Sequence, residues 1–249
     1  MTWSVAPTDG GARDGGASGR RWPADGGADR RAFAGLPRLT SMSFASSERA
    51  ALCDLFDDLG PDAPTLCEGW DTRDLAAHLH LRETSLLAAG ILLPPVAGML
   101  ERRQKEVAGG DWPTLVARVR RPPFWSPSAV GEIDKRMNLA EYFVHHEDVR
   151  RAQDGWEPRE LAPSQQQALW GVLKATARTH YRNADVGVVL RREPDGAEIT
   201  ARPGIPAVVI VGPPPELVLH AFGRAAQAQV TFEGPEEAVA RLQETPLGI

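Results

Sequence analysis

Six histidines carry most of the chemical information in this chain: His78, His80, His145, His146, His180 and His220. Glu141 and His145 are four residues apart, so on a helix both project from one face, about a turn apart. Asp148 continues that face three residues beyond His145. Met137, Ala140 and Val144 share it, which turns it inward. A carboxylate and an imidazole on an inward face are costly unless paired or bound to metal. Glu-x-x-x-His is therefore half of a candidate metal site, and His78 can supply the other half. Asp74, one turn earlier, is spaced to accept the N–H of the imidazole nitrogen that faces away from a metal. Two imidazoles and a carboxylate suit a borderline divalent ion such as zinc and leave one position for water or substrate. The competing reading is a solvated pair, because Glu and His at this spacing often do no more than that. His80 and His146 sit about 200° and 100° around their helices from His78 and His145, which assigns them structural roles.

These residues need long helices to hold them. Ser46 or Ser47 can cap a first helix to Leu59, whose apolar stripe is Leu52, Leu55, Phe56 and Leu59. Asp71 or Thr72 caps the next, running through His78 toward Ala89. Shorter helices follow at 96–107 and 112–120, then long ones at 135–153 and from Pro163 to Tyr181. The period then changes. Segments 186–190 and 198–201 flank Glu193-Pro194-Asp195-Gly196 as a hairpin, and 207–211 and 229–232 read as strands. Helices are expected from about Pro213 to about Ala226 and over 235–242. The predicted organisation is α+β: a segment 1–43, a helix bundle 44–183 and a small α/β domain 184–249.

The chain has 249 residues, 42% hydrophobic and 24% charged, within the range of a globular protein. Eight of its 24 glycines lie in residues 1–43, which show no helical or strand period and read as disordered. A start at Met42 is the alternative reading of that segment. The net charge of −5 offers no basic field for nucleic acid. The longest apolar run, residues 86–100, is interrupted by Gly90, Pro94, Pro95 and Gly98, so no membrane span is expected. Two cysteines and no signal-peptide core fit a reducing cytoplasm. Cys53 belongs on the apolar side of the first helix, and Cys67 reads as a packed residue before a Gly-Trp turn, with a reactive thiol near the metal helix as the alternative. Walker loops, nucleophile elbows and His-Glu-x-x-His helices are absent from the sequence.

Leu66-Cys67-Glu68-Gly69-Trp70-Asp71-Thr72-Arg73-Asp74-Leu75-Ala76-Ala77-His78-Leu79 resembles the opening signature of the mycothiol-dependent maleylpyruvate isomerase family, within the DinB-like helix bundles. Glu141-Tyr142-Phe143-Val144-His145-His146-Glu147-Asp148 resembles its second signature, Glu-x-x-x-His-x-x-Asp. Leu217-Val218-Leu219-His220-Ala221-Phe222-Gly223-Arg224 is similar to the helix of the small domain that follows the bundle. The likeness runs from about residue 45 to the end and is strongest to an actinobacterial subgroup described only as metal-binding. The glycine-rich segment has no counterpart in the family.

The resemblance implies that His78, Glu141 and His145 bind a divalent metal, zinc above all, with mycothiol as a thiol cofactor. It implies isomerase or transferase chemistry on a small electrophile, because a cation favours thiolate and thiolate adds to activated double bonds. Arg224 is the candidate catalytic clamp for an anionic substrate, and Arg82, one turn after His78, a second basic group in the cofactor site. Asp74 and Asp148 are candidates to orient the ligands. The alternative is a non-catalytic metal-dependent binding protein or sensor. A helical scaffold with a vestigial site is a third reading.

Overall fold

The structure is a computed structural model that describes residues 43–84, 94–123, 126 and 132–247. Residues 1–42, which hold nearly all of the glycine-rich segment, lie outside the described residues, as do Trp125 and the expected continuation of the second helix past Thr84.

Six helices come first: α1 (Phe44–Leu59), α2 (Thr72–Thr84), α3 (Pro94–Ala108), α4 (Trp112–Arg120), α5 (Glu132–Arg150) and α6 (Pro163–His180). The α1 cap is Ser43 rather than Ser46 or Ser47; its hydroxyl accepts from the Ser46 amide at 3.1 Å. Of the predicted stripe, Leu52 and Phe56 are fully buried, whereas Leu59 ends the helix exposed. They pack with Leu75, Leu79, Val116 and Tyr142 into a core shared by α1, α2, α4 and α5. Each such side chain contributes about 1.5–3 kcal/mol by leaving water.

The C-terminal part holds β1 (Gly187–Arg192), β2 (Glu198–Arg202), β3 (Ala207–Gly212), α7 (Pro214–Ala221), β4 (Thr231–Glu233) and α8 (Glu236–Gln243). The sheet order is β2-β1-β3-β4. The predicted hairpin pairs β1 with β2, β3 runs parallel to β1, and β4 is antiparallel to β3. Alternating Val188, Leu190, Val208 and Ile210 turn inward against Leu217, Leu219, Leu169 and Leu173 of α7 and α6.

Helix α7 stops at Ala221, about five residues before the expected end. Gly223 has φ +86°, a conformation glycine adopts cheaply. Its amide donates to His220 O at 3.1 Å and the Arg224 amide to Leu219 O at 2.9 Å, the Schellman pattern that ends a helix. This turn reverses the chain at Arg224. The buried Arg151, at the end of α5, secures it: it donates to Glu147 (2.7 Å), bidentately to Glu216 of α7 (2.9 and 2.6 Å), and to the Gln227 carbonyl (2.6 Å). Among the described residues no helix is long and apolar enough to cross a membrane.

Candidate metal centre

Four segments converge on a cavity of about 800 Å³ whose walls include Cys67, Trp70, His78, Arg82, Glu141 and Arg224. Helix α2 starts because Asp71 accepts from the Asp74 amide at 2.9 Å, and that start sets His78 and Arg82 one turn apart on the cavity side. The preceding loop closes on itself through a Pro64–Asp71 bridge. Thr65 accepts from the Cys67 amide (3.1 Å) and donates to the Trp70 carbonyl (2.8 Å). Leu66 N–H donates to Asp148 O at 3.0 Å, tying the loop to α5. Helix α5 contributes Glu141 and His145, with Asp148 fully buried behind them, and the turn after α7 contributes Phe222 and Arg224.

His78 Nε2 lies 3.2 Å and His145 Nε2 3.3 Å from the same Glu141 Oε1. The two rings stand 5.4 Å apart at 71°. One donor atom from each of the three residues lies within 4.8 Å of the others, close enough for one ion. Asp148 Oδ2 sits 2.9 Å from His145 Nδ1. A carboxylate only accepts, so Nδ1 carries hydrogen and Nε2 is the atom turned to Glu141. Burial works against charge on Glu141, but hydrogen bonds from His145 and His78 and the nearby Arg82 hold its pKa well below the usual range. Burial also opposes charge on His145, and hydrogen bonds with Asp148, Cys67 and Glu141 outweigh it, raising its pKa well above the usual range. This donor set, two imidazoles and a carboxylate with one imidazole braced by a second carboxylate, fits a zinc-like divalent ion.

A second trio, Cys67, His145 and Asp148, also lies within ligand distance of one point. There the cation is already supplied by protein. Arg224 donates to Asp148 through Nε (2.7 Å) and Nη2 (2.6 Å), and Nη2 also reaches Cys67 Sγ at 3.6 Å. Asp148 is fully buried; burial raises its pKa, but His145 and Arg224 bring it down to about 2. With Nη1 on the Phe222 carbonyl at 2.6 Å, Arg224 has little hydrogen-bonding capacity left. It is in the cavity wall, as a brace for Asp148.

Arg82 is differently held. Its Nη1 donates to Asn138 at 2.8 Å and its Nε lies 3.3 Å from Glu141 Oε1. Asp74 makes no hydrogen bond to His78 among the described residues; Trp70 packs on that imidazole instead, at 5.2 Å. Cys53 is buried as expected, and Cys67 is partly buried against the core, as read; beyond that reading it also lines the cavity, its thiol 3.2 Å from Asp148. Its position before a Gly-Trp turn pointed to the bend; nothing local indicated that α5 would pass beneath it. His146 is buried against Glu48 at 2.7 Å. His220 hydrogen-bonds Tyr181 at 2.8 Å and lies outside the cavity lining. Both ring nitrogens of buried His180 lack a hydrogen-bond partner among the described residues.

Residues 45–121 match the family model described as the mycothiol maleylpyruvate isomerase N-terminal domain. This stretch belongs to that family. It spans α1 to α4 and contains His78 and Arg82; Glu141, His145, Asp148 and Arg224 lie beyond it. Among solved structures, the chain is similar to the mycothiol-dependent maleylpyruvate isomerase, with 19% identity, TM-score 0.53, and coverage of 78% of this chain and 92% of that one. A histidine-to-alanine mutant of a mycothiol-dependent maleylpyruvate isomerase gives 18% identity, TM-score 0.51 and the same coverage. At these identities the likeness extends to the fold, a helical region followed by a small α/β part. No curated protein sequence matches the chain.

Proposed function

We propose that this chain is a divalent-metal protein that uses a low-molecular-weight thiol, mycothiol, for isomerase or transferase chemistry on a small electrophile. The observation that carries the reading is the approach of two imidazole Nε2 atoms to one Glu141 oxygen, 3.2 and 3.3 Å away, in the wall of an 800 Å³ cavity. His78, Glu141 and His145 are the proposed ligands and zinc the proposed ion. The family of residues 45–121 supports mycothiol as the thiol. A divalent ion held there favours the deprotonated form of an incoming thiol at neutral pH.

The chain's own residues do the remaining work. Asp148 fixes the orientation of His145, and Arg224 fixes Asp148. Trp70, Leu66, Val144 and Phe222 give the cavity apolar walls that limit water around an electrophile. Arg82 presents positive charge to an anionic group of substrate or cofactor. Residues 44–183 form the metal-binding bundle in this reading, 184–249 the small domain that closes the cavity, and the cytoplasm the compartment.

The test is elemental analysis of protein purified without a His-tag, beside His145→Ala. Near-stoichiometric zinc in the parent and its loss in the variant are expected. Absence of metal from both after reconstitution refutes the reading. A binding protein or sensor would hold metal without measurable affinity for mycothiol, so titration of the metal-loaded chain with the thiol separates the two functions.

A further inference from the structure

The two cavity arginines differ in what holds them. Arg224 forms a two-point bridge to a fully buried carboxylate and also donates to Cys67 and a backbone carbonyl. Such a guanidinium cannot turn to a ligand without stranding Asp148. Arg82 contacts the Glu141 carboxylate at one oxygen only, with Nε at 3.3 Å, and lies 3.8 Å from Glu83. Its firm bond is to the neutral amide oxygen of Asn138. Its Nη2 has no hydrogen-bond partner among the described residues, and about a quarter of its side chain is exposed, in the cavity wall.

The oxygen Arg82 contacts is the one that both proposed imidazole ligands approach. An ion held by His78, Glu141 and His145 draws on the negative charge that attracts Arg82 and repels the guanidinium. We propose that Arg82 is an oxyanion receptor coupled to the metal position: the ion claims the Glu141 oxygen, and Arg82, still anchored on Asn138, turns its free edge to a small carboxylate in the cavity. The inference rests on the metal reading above and adds the coupling between the metal position and the anion that Arg82 receives. A guanidinium offers two parallel donors, the geometry a carboxylate accepts. Because coupling is reciprocal, the oxyanion tightens the metal as much as the metal tightens the oxyanion.

The experiment measures zinc affinity of the full-length, tag-free chain by competition with a chromophoric chelator, for the parent, Arg82→Gln and Arg82→Lys. Each is titrated with and without acetate, and again with methanesulfonate, an oxyanion that binds zinc poorly, at constant ionic strength. Without oxyanion, Arg82→Gln should bind zinc about five- to tenfold more tightly than the parent, because a competing cation is gone. Arg82→Lys, which keeps the repulsion, should stay near the parent. Both oxyanions should tighten zinc in the parent by about fivefold and leave Arg82→Gln unchanged. Weaker zinc binding by Arg82→Gln would make Arg82 a brace for Glu141 and overturn the proposal. An equal oxyanion response in parent and Arg82→Gln would overturn it too, since the anion would then bind elsewhere. Failure of all three proteins to bind zinc would instead refute the metal reading beneath it.

Discussion

Replacing Asp148 with Asn tests whether the buried carboxylate organises the centre. The side chain keeps its shape and loses its charge. Asp148 is fully buried and answers two cations, His145 at 2.9 Å and Arg224 at 2.6 and 2.7 Å. Removing one partner of a buried ion pair costs about 3–5 kcal/mol, because the other charge is left without compensation. Arg224 retains 22% exposure, so water recovers part of that loss and about 2–3 kcal/mol is expected. For a domain of this size, that lowers the melting temperature by roughly 5–10 °C. The second effect is on metal. Asn offers an N–H as readily as a carbonyl to His145 Nδ1, so the ring is no longer fixed with Nε2 toward Glu141. Loss of such a partner weakens metal binding about 10–100-fold. Differential scanning fluorimetry and zinc competition on the same preparation measure both. A variant that melts lower but binds zinc like the parent would refute the proposed path from Asp148 through His145 to the ion. Unchanged melting would refute the claim that the Arg224–Asp148 pair is a buried charge pair.

Further outcomes follow from the same geometry. Burial pushes the His220 pKa down to about 4, below its unfolded value near 6.5, so the unfolded chain binds more protons between those limits. Stability at neutral pH should therefore decline as pH falls from about 6.5 toward 4, by at most about 3 kcal/mol from this residue. Urea midpoints at pH 7 and 4.5 measure the decline, which His220→Gln should reduce; an unchanged slope in that variant sinks the assignment. Cys67 lines the cavity, whereas Cys53 is buried with its thiol pushed up to about 12 by desolvation. N-ethylmaleimide should add once to the native chain and twice to the unfolded one, and Cys67→Ser should abolish only the native addition, as read by intact mass. Gly223→Ala places a Cβ at φ +86° and should cost about 1–2 kcal/mol in chemical denaturation, with loosened zinc if Arg224 moves with the turn; a neutral effect would show that the backbone finds another way to end α7.

Helix positions and the Glu141–His145 pair were legible because both depend on local spacing, whereas His78, 63 positions from Glu141, was joined to them through the resemblance to a family. Glu141 and His145 share a face at any i,i+4 separation on a helix, and Asp71 caps α2 through its own short side chain. The β1–β2 hairpin was likewise written in alternation around a Pro-Asp-Gly turn. Local periodicity was weaker at ends, where α7 gave way to Gly223 because a positive φ and two capping hydrogen bonds outweighed the helical pattern of residues 222–226.

Pairings between distant elements were a different matter. Arg224 read as a clamp for an anionic substrate, and the pairing it makes with the Asp148 carboxylate, 76 positions away, was not visible in that reading. Cys67 read as a packed residue, which it is, but only α5 passing beside it made it part of the cavity wall as well. Trp70, not Asp74, became the neighbour of the His78 ring. The chain's own pattern determined which residues could do chemistry and on which helical face each would stand. The packing of α2, α5, the 61–71 loop and the turn after α7 decided which charges meet, because ion pairing and burial depend on distances of a few ångströms that sequence separation does not encode.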